Sequence, residues 1–91
     1  MKQSIKLLRL SDCVEMTSRS RSMIYSDIKK GLFPKPFKLG GENSRGTFFL
    51  KAEINYLIMA RAAGYSDEAI KSMLSQAHTQ RSESLKSGLS F

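Results

Sequence analysis

The stretch of sequence that decides the fold reads Arg19-Ser20-Arg21-Ser22-Met23-Ile24-Tyr25-Ser26-Asp27-Ile28-Lys29-Lys30-Gly31, and it is followed by Leu32-Phe33-Pro34-Lys35-Pro36. A serine near its start and a glycine at its end are capping signals, so the stretch predicts a helix over about residues 20–30. Ile24 and Ile28 lie one turn apart and are expected to point inward with Met23. Helical spacing gives the outward face four other side chains, Ser22, Tyr25, Ser26 and Lys29.

This outward face carries hydroxyls, a phenol and a cation, which are groups that suit phosphates and base edges. Arg21 adds a second cation beside the helix N-terminus, and Asp27 is the one acid within the segment. The stretch therefore predicts a recognition helix for DNA.

The charge distribution of the chain agrees with this interpretation. The 91 residues carry a net charge of +7, and residues 19–51, with eight Lys or Arg against two acids, hold +6 of it. A concentrated positive segment is typical of a nucleic-acid footprint. The alternative is a solvated basic face that has no partner.

Composition limits the classes of protein. The hydrophobic content of 41% is that of a folded chain, and 91 residues make one small domain. No apolar run approaches the ~20 residues that span a bilayer, so we expect a cytoplasmic protein of a bacterial or phage-infected cell that does not contact the membrane. One cysteine, Cys13, makes no internal disulfide, and with one distant His78 it supplies no zinc site. We expect no cofactor and no metal.

The segment before the recognition helix predicts a helix-turn-helix. Residues 5–10 are expected to be a short extended lead-in, and Ser11 can cap a helix that reaches about Met16. Thr17-Ser18-Arg19 is polar enough to be a tight turn. Two short helices joined in this way form the helix-turn-helix pattern, which also occurs in bundles that do not bind DNA.

The segment after Gly31 predicts a β-hairpin. Pro34 and Pro36 forbid a helix, and residues 36–39 and 47–50 look like two strands around a glycine-rich loop over residues 40–46. Three cations lie on or near this hairpin: Lys35, Lys38 and Arg45. We interpret it as a wing that reaches the DNA backbone, against the alternative of a surface hairpin whose cations keep an edge strand soluble.

Two further helices are predicted, over residues 51–63 and from a cap at Ser66. An apolar stripe on the last helix is expected to pack on the core, with a dimer face as the alternative, and it comprises Ile70, Met73, Leu74 and Ala77. Residues 1–78 then form a single domain, and the polar, serine-rich residues 79–91 are expected to be a disordered tail.

The order of these elements resembles the AlpA family of phage and prophage regulators, and the resemblance covers about residues 7–63. Ser20-Arg21-Ser22-Met23-Ile24-Tyr25 resembles the family's Ser-Arg-Ser-Thr-Ile-Tyr helix start. Residues 31–40 are similar to its Gly-x-Phe-Pro-x-Pro-x-Lys-Leu-Gly turn almost throughout. Leu8-Arg9-Leu10 with Val14 looks like its opening, and Glu53-Ile54 like its acidic-aliphatic pair. The chain departs from the family pattern at two positions: Met23 stands where the family commonly has Thr, and Phe48 stands where it usually has a Trp in the wing.

The resemblance implies a mainly α fold with a small β-hairpin, a winged helix-turn-helix of the MerR or excisionase kind, here with an extra C-terminal helix. It also implies a sequence-specific double-stranded DNA-binding regulator of a mobile genetic element. Such a protein would be a transcriptional regulator of integrase or excision genes, or an excisionase (a recombination directionality factor). RNA polymerase or integrase would be its protein partner.

We assign DNA binding to ten residues: Arg19, Ser20, Arg21, Ser22, Tyr25, Ser26, Lys29, Lys35, Lys38 and Arg45. The alternative function is a phage-encoded adaptor or antirepressor that meets an acidic partner with the same basic face. The sequence predicts no enzyme, because it has no cluster of catalytic side chains and no phosphate-binding glycine loop. We expect a monomer in solution that assembles cooperatively on DNA.

Overall fold

The computed structural model describes residues 5–40 and 46–86, with side chains described as far as Glu83. Within these residues, six elements follow one another: β1 (Leu7–Leu8), α1 (Leu10–Thr17), α2 (Arg21–Lys30), β2 (Phe49–Leu50), α3 (Lys51–Ala62) and α4 (Asp67–Lys86). The fold is mostly helical with a small antiparallel sheet, as predicted for a winged helix-turn-helix with an extra C-terminal helix. None of the helices in the described ranges is both long and apolar enough to cross a bilayer.

Local capping explains where the first two helices begin and end. The side chain of Asp12 accepts a hydrogen bond from the amide of Arg9 at 2.9 Å, so the N-cap of α1 is Arg9, two residues before the predicted cap Ser11. The hydroxyl of Ser20 accepts a hydrogen bond from the amide of Met23 at 3.3 Å and thereby caps α2. Gly31 ends α2 with a φ of 79°, a backbone conformation that suits glycine.

The sheet joins the start of the chain to its middle. β1 pairs antiparallel with β2, with Leu7 opposite Leu50 and Leu8 opposite Phe49. The predicted partner of β2, residues 36–39, instead meets the chain before β2 at one bridge, in which Phe37 and Phe48 exchange backbone hydrogen bonds of 2.9 and 2.8 Å. The next hydrogen-bonded pair of an antiparallel ladder would join Lys35 to Leu50, but the amide and the carbonyl of Lys35 bond to His78 and Arg81 of α4 instead. The centre of the predicted wing loop, residues 41–45, lies outside the described residues.

The core lies where α1, α2, the sheet and α3 meet residues 31–34, which we call the Phe33 turn. Phe33 and Phe49 pack edge to face, with ring centroids 5.7 Å apart. Ile24 is fully buried and Ile28 is half-buried, whereas Met23 is 48% exposed, so the prediction that Met23 points inward is wrong. Consecutive helical residues point about 100° apart, and α2 packs on the core through the face that holds Ile24.

The last helix completes this core and is longer than predicted. Ile70, Met73 and Leu74 of α4 are buried, which confirms the apolar stripe as a contact within the chain. The helix runs to Lys86, although we expected a disordered tail from residue 79. The helix continues past residue 79 because the guanidinium of Arg81 forms an ion pair with the buried Glu53 of α3 and so holds this part of α4 against the core. Residues 87–91 lie outside the described part of the chain.

Candidate nucleic-acid interface

The outward face of α2 is open to solvent. Arg21, Ser22 and Lys29 are exposed, and Tyr25 is 55% exposed although its ring is large. Ser26 is half-buried at the edge of this face. The structure therefore leaves four predicted contact residues available to a partner on one helix, together with the neighbouring Lys30.

The N-terminus of α2 offers backbone donors beside this face. The first hydrogen bond within the helix runs from the amide of Ile24 to the carbonyl of Ser20 at 3.0 Å. The amides of Arg21 and Ser22 precede it, so they have no acceptor within the helix and can bind an anion. The hydroxyl of Ser20 holds the cap and lies 3.3 Å from the hydroxyl of Ser22. The geometry thus gives Ser20 a role in forming the helix start.

Arg19 has a partner inside the protein. Its Nη2 lies 2.7 Å from Oδ2 of Asp27, and the two side chains are 38% and 15% exposed. Its Nε is buried without a hydrogen-bond partner among the described residues. The DNA contact predicted for Arg19 would therefore compete with this ion pair. The pair also neutralises Asp27, the one acid of α2.

The segment after α2 presents two more predicted contacts on a fixed backbone. Lys35 and Lys38 are exposed on either side of Phe37. The amide of Lys35 donates to Nε2 of His78 at 3.1 Å, and its carbonyl accepts from Nη2 of Arg81 at 2.9 Å. Arg45, the third cation predicted on the wing, lies outside the described residues.

Arg9 is a cation near this surface that sequence reasoning missed. It is exposed, and its guanidinium carbon lies 5.6 Å from the centre of the Phe48 ring, a cation–π contact that brings it beside the base of the wing. The pairing of β1 with β2 brings Arg9 there across some forty residues of sequence. The signal that could have found it is the basic residue of Leu8-Arg9-Leu10, directly after a short apolar strand.

No group of three or more His, Cys, Asp or Glu side chains that could hold a metal ion occurs in the part of the chain that the structure describes. Cys13 is fully buried, and burial, with a smaller effect of Asp12, raises the pKa of its thiol to about 11. A buried thiol whose pKa is raised in this way is protonated at neutral pH and packs as a small apolar side chain.

Comparison with known proteins identifies the family. A family model described as Prophage CP4-57 regulatory protein (AlpA) matches residues 6–62, which include α2, the Phe33 turn and α3. No curated protein and no solved structure matches the chain. The matched residues carry the whole exposed α2 face as well as Lys35 and Lys38. Because the match covers more than half of the 91 residues, the chain belongs to the AlpA family of prophage regulatory proteins.

Proposed function

We propose that this protein is a sequence-specific double-stranded DNA-binding regulator of a mobile genetic element. The observation that carries the proposal is the open face of α2, with Arg21, Ser22, Tyr25 and Lys29 beside free helix-start amides. Membership of a family of prophage regulatory proteins supports the same function.

In this proposal α2 enters the major groove, where each base pair presents its own pattern of donors, acceptors and methyl groups. Arg21 can bind a guanine edge through two nitrogens, and the hydroxyls of Ser22 and Tyr25 can donate to or accept from other base edges. Ser26 and Lys29 would extend the contact along the groove.

Phosphate contacts would fix the register of α2 on the duplex. The amides at the start of α2 can bind one phosphate, and Lys35, Lys38 and Arg45 can reach the backbone on the side of the wing. These groups contribute affinity without reading sequence directly. Arg19 would contribute through its ion pair with Asp27, which removes a negative charge from this face.

At the level of biology, the protein would regulate integrase or excision genes, or serve as an excisionase that directs recombination. The winged helix-turn-helix would then act in the manner of MerR or excisionase domains, with RNA polymerase or integrase as its partner in the cytoplasm. A module of this size buries only about 600–1,000 Å² on DNA. Several neighbouring sites, occupied cooperatively, would supply the rest of the specificity.

The test is the selection of bound duplexes from fragments of genomic DNA at physiological salt. We expect enrichment of a short motif in repeated copies with a regular spacing. Deletion of the motif from an attachment site or from a promoter would then separate the two biological roles. Binding that shows no sequence preference would contradict the proposal and favour an adaptor that meets an acidic protein.

A further inference from the structure

Helix α4 binds both backbone groups of Lys35. Nε2 of His78 accepts the amide proton of Lys35 at 3.1 Å, and Nη2 of Arg81 donates to the carbonyl of Lys35 at 2.9 Å. The two partners lie almost one helical turn apart on α4, and more than forty residues from Lys35 in sequence. Since Pro34 and Pro36 flank Lys35, this segment has few amides with which to hold itself in place.

Arg81 extends the contact to α3 and to the wing. Its Nε donates to Oε2 of Glu53 at 2.9 Å and its Nη2 to the other carboxylate oxygen, a two-pronged pairing that gives the guanidinium a defined orientation. The same guanidinium lies over the ring of Phe37, 5.7 Å from its centre. Phe37 in turn forms the backbone bridge with Phe48. One side chain of α4 thus binds the carbonyl of Lys35 and contacts Phe37, two residues further along the chain.

The contact to His78 requires a neutral imidazole, because a protonated ring has no acceptor. Burial lowers the pKa of His78; Arg81 lowers it further, Glu53 opposes this, and Lys35 adds a smaller lowering. Lys30 at the end of α2 and Lys71 on α4 line the same cavity and add positive charge around the ring. The neutral, accepting form is therefore the form present at neutral pH.

The side chain of Lys35 remains exposed while its backbone is held. A cation on a fixed backbone loses less conformational freedom when it binds a phosphate than one on a mobile loop, so affinity increases without any new contact to DNA. The two residues that hold it lie outside residues 6–62, the part of the chain that the family model matches.

We propose that His78 and Arg81 are positioning residues for DNA binding, which hold the backbone of Lys35 so that its side chain meets a phosphate. This role rests on the proposed function, because it presupposes that Lys35 contacts DNA. It gives α4 a part in binding although α4 carries none of the residues assigned to DNA.

The test combines amide exchange in the free protein with DNA affinity. Three variants are compared with the wild type: His78→Ala, which removes the acceptor, His78→Gln, which can replace it with an amide oxygen, and Arg81→Ala. At neutral pH, we expect the Lys35 amide to exchange about tenfold faster in His78→Ala, the scale of one lost hydrogen bond, and to stay protected in His78→Gln. The wild type and His78→Gln are also compared at a pH where imidazole is protonated. There, the Lys35 amide should lose its protection in the wild type and keep it in His78→Gln.

DNA affinity is measured with a labelled duplex of mixed sequence and about 20 base pairs at ~50 mM salt, because phosphate contacts do not depend on sequence. We expect His78→Ala and Arg81→Ala to bind about three- to tenfold more weakly, and His78→Gln to bind like the wild type. In a Lys35→Ala background, His78→Ala should have no further effect, as expected for two residues that act through one contact. Circular dichroism verifies that each variant is folded.

Each result has one meaning. If His78→Ala weakens binding equally with and without Lys35, it acts on the fold in general, and the positioning role is refuted. If the Lys35 amide loses protection but DNA affinity stays the same, the role is also refuted, while the proposed function stands. If the wild type binds no duplex at all, the proposed function fails and this role fails with it.

Discussion

The guanidinium of Arg19 lies 2.7 Å from the carboxylate of Asp27, so an ion pair joins the turn before α2 to the middle of that helix. The pair connects the two parts of the helix-turn-helix on the side of the core. It also hides the one negative charge of α2 from a polyanionic partner. The pair also occupies the guanidinium of Arg19, a predicted DNA contact, so removal of the Asp27 carboxylate should lower the stability and raise the affinity for DNA.

We predict that Asp27→Asn lowers the free energy of unfolding by about 1 kcal/mol, the scale for a partly exposed ion pair, and strengthens binding to mixed-sequence DNA because Arg19 is released. Urea unfolding and fluorescence anisotropy measure the two effects. Asp67→Asn is the matched control, since it removes the same charge from the more exposed pair with Arg61. Equal effects of the two variants on DNA binding would contradict a role of the Arg19 pair at the interface.

A second prediction concerns base reading by α2. Tyr25→Ala should reduce the preference for the selected site over a scrambled duplex by ~1–3 kcal/mol, and Arg21→Ala should do the same, because each removes a contact to a base edge. The control is Tyr56→Ala on α3, since Tyr56 is 54% exposed and Tyr25 is 55% exposed. Competition titrations measure the preference. If the two tyrosine variants discriminate equally well, α2 is not the recognition helix.

The cations of the wing are predicted to act on all DNA alike. For the wild type, with about four to six phosphates neutralised, the slope of log K against log salt should be near −4 to −5. Lys38→Ala should make this slope less steep by about 1 and weaken specific and non-specific binding to the same extent. Arg45→Ala is expected to behave in the same way. A loss of affinity with no change in slope would show that Lys38 does not contact a phosphate.

A fourth prediction is a pH dependence of stability that His78 causes. The pKa of His78 is lowered in the folded protein, chiefly by burial, so the unfolded chain takes up its proton first as the pH falls. The free energy of unfolding should therefore be at its full value above about pH 6.5 and fall as the pH drops below it. His78→Gln should remove this part of the dependence. Unfolding curves at a series of pH values between about 7.5 and 5 measure this dependence, above the range in which the titration of carboxylates dominates. If the free energy of unfolding changes with pH to the same extent in the wild type and in His78→Gln, His78 is not the cause.

The fifth prediction concerns assembly. Leu74 is 1% exposed and packs in the core of its own chain, so Leu74→Ala should lower the free energy of unfolding by ~2–5 kcal/mol as a core cavity does. We expect the wild type to sediment as a monomer at tens of micromolar, on the order of a thousand times an ordinary specific Kd. A dimer that Leu74→Ala dissociates without loss of folding would refute this prediction. Binding to duplexes with one or two adjacent sites measures cooperativity on DNA.

The features predicted well from the sequence are those that depend on neighbouring residues. Ser20 caps α2 and Gly31 ends it. At the start of α4, the hydroxyl of Ser66 accepts a hydrogen bond of 3.2 Å from the amide of Ala69. Each requires a side chain or a backbone conformation within one helical turn, so the residue type alone carries the signal. The apolar stripe of α4 was predictable for the same reason, because its apolar residues repeat every three or four positions within one helix.

The features that the sequence did not predict depend on pairs that lie far apart in the chain. β2 pairs with β1, which no local pattern distinguishes from pairing with residues 36–39. Glu53 lies 8% exposed in α3, and its partner Arg81 comes from the segment for which we expected disorder. A buried acid with a distant arginine is stable only as a pair, and each residue taken alone looks like a surface charge.

The match to the family ends at Ala62, yet the core continues through Leu74 of α4. The part of the chain that the family model matches is therefore smaller than the part that packs around one core. Ile70, Met73 and Leu74 of α4 supply part of this core, so a fragment cut at residue 62 would lose them, leave apolar side chains uncovered and tend to aggregate.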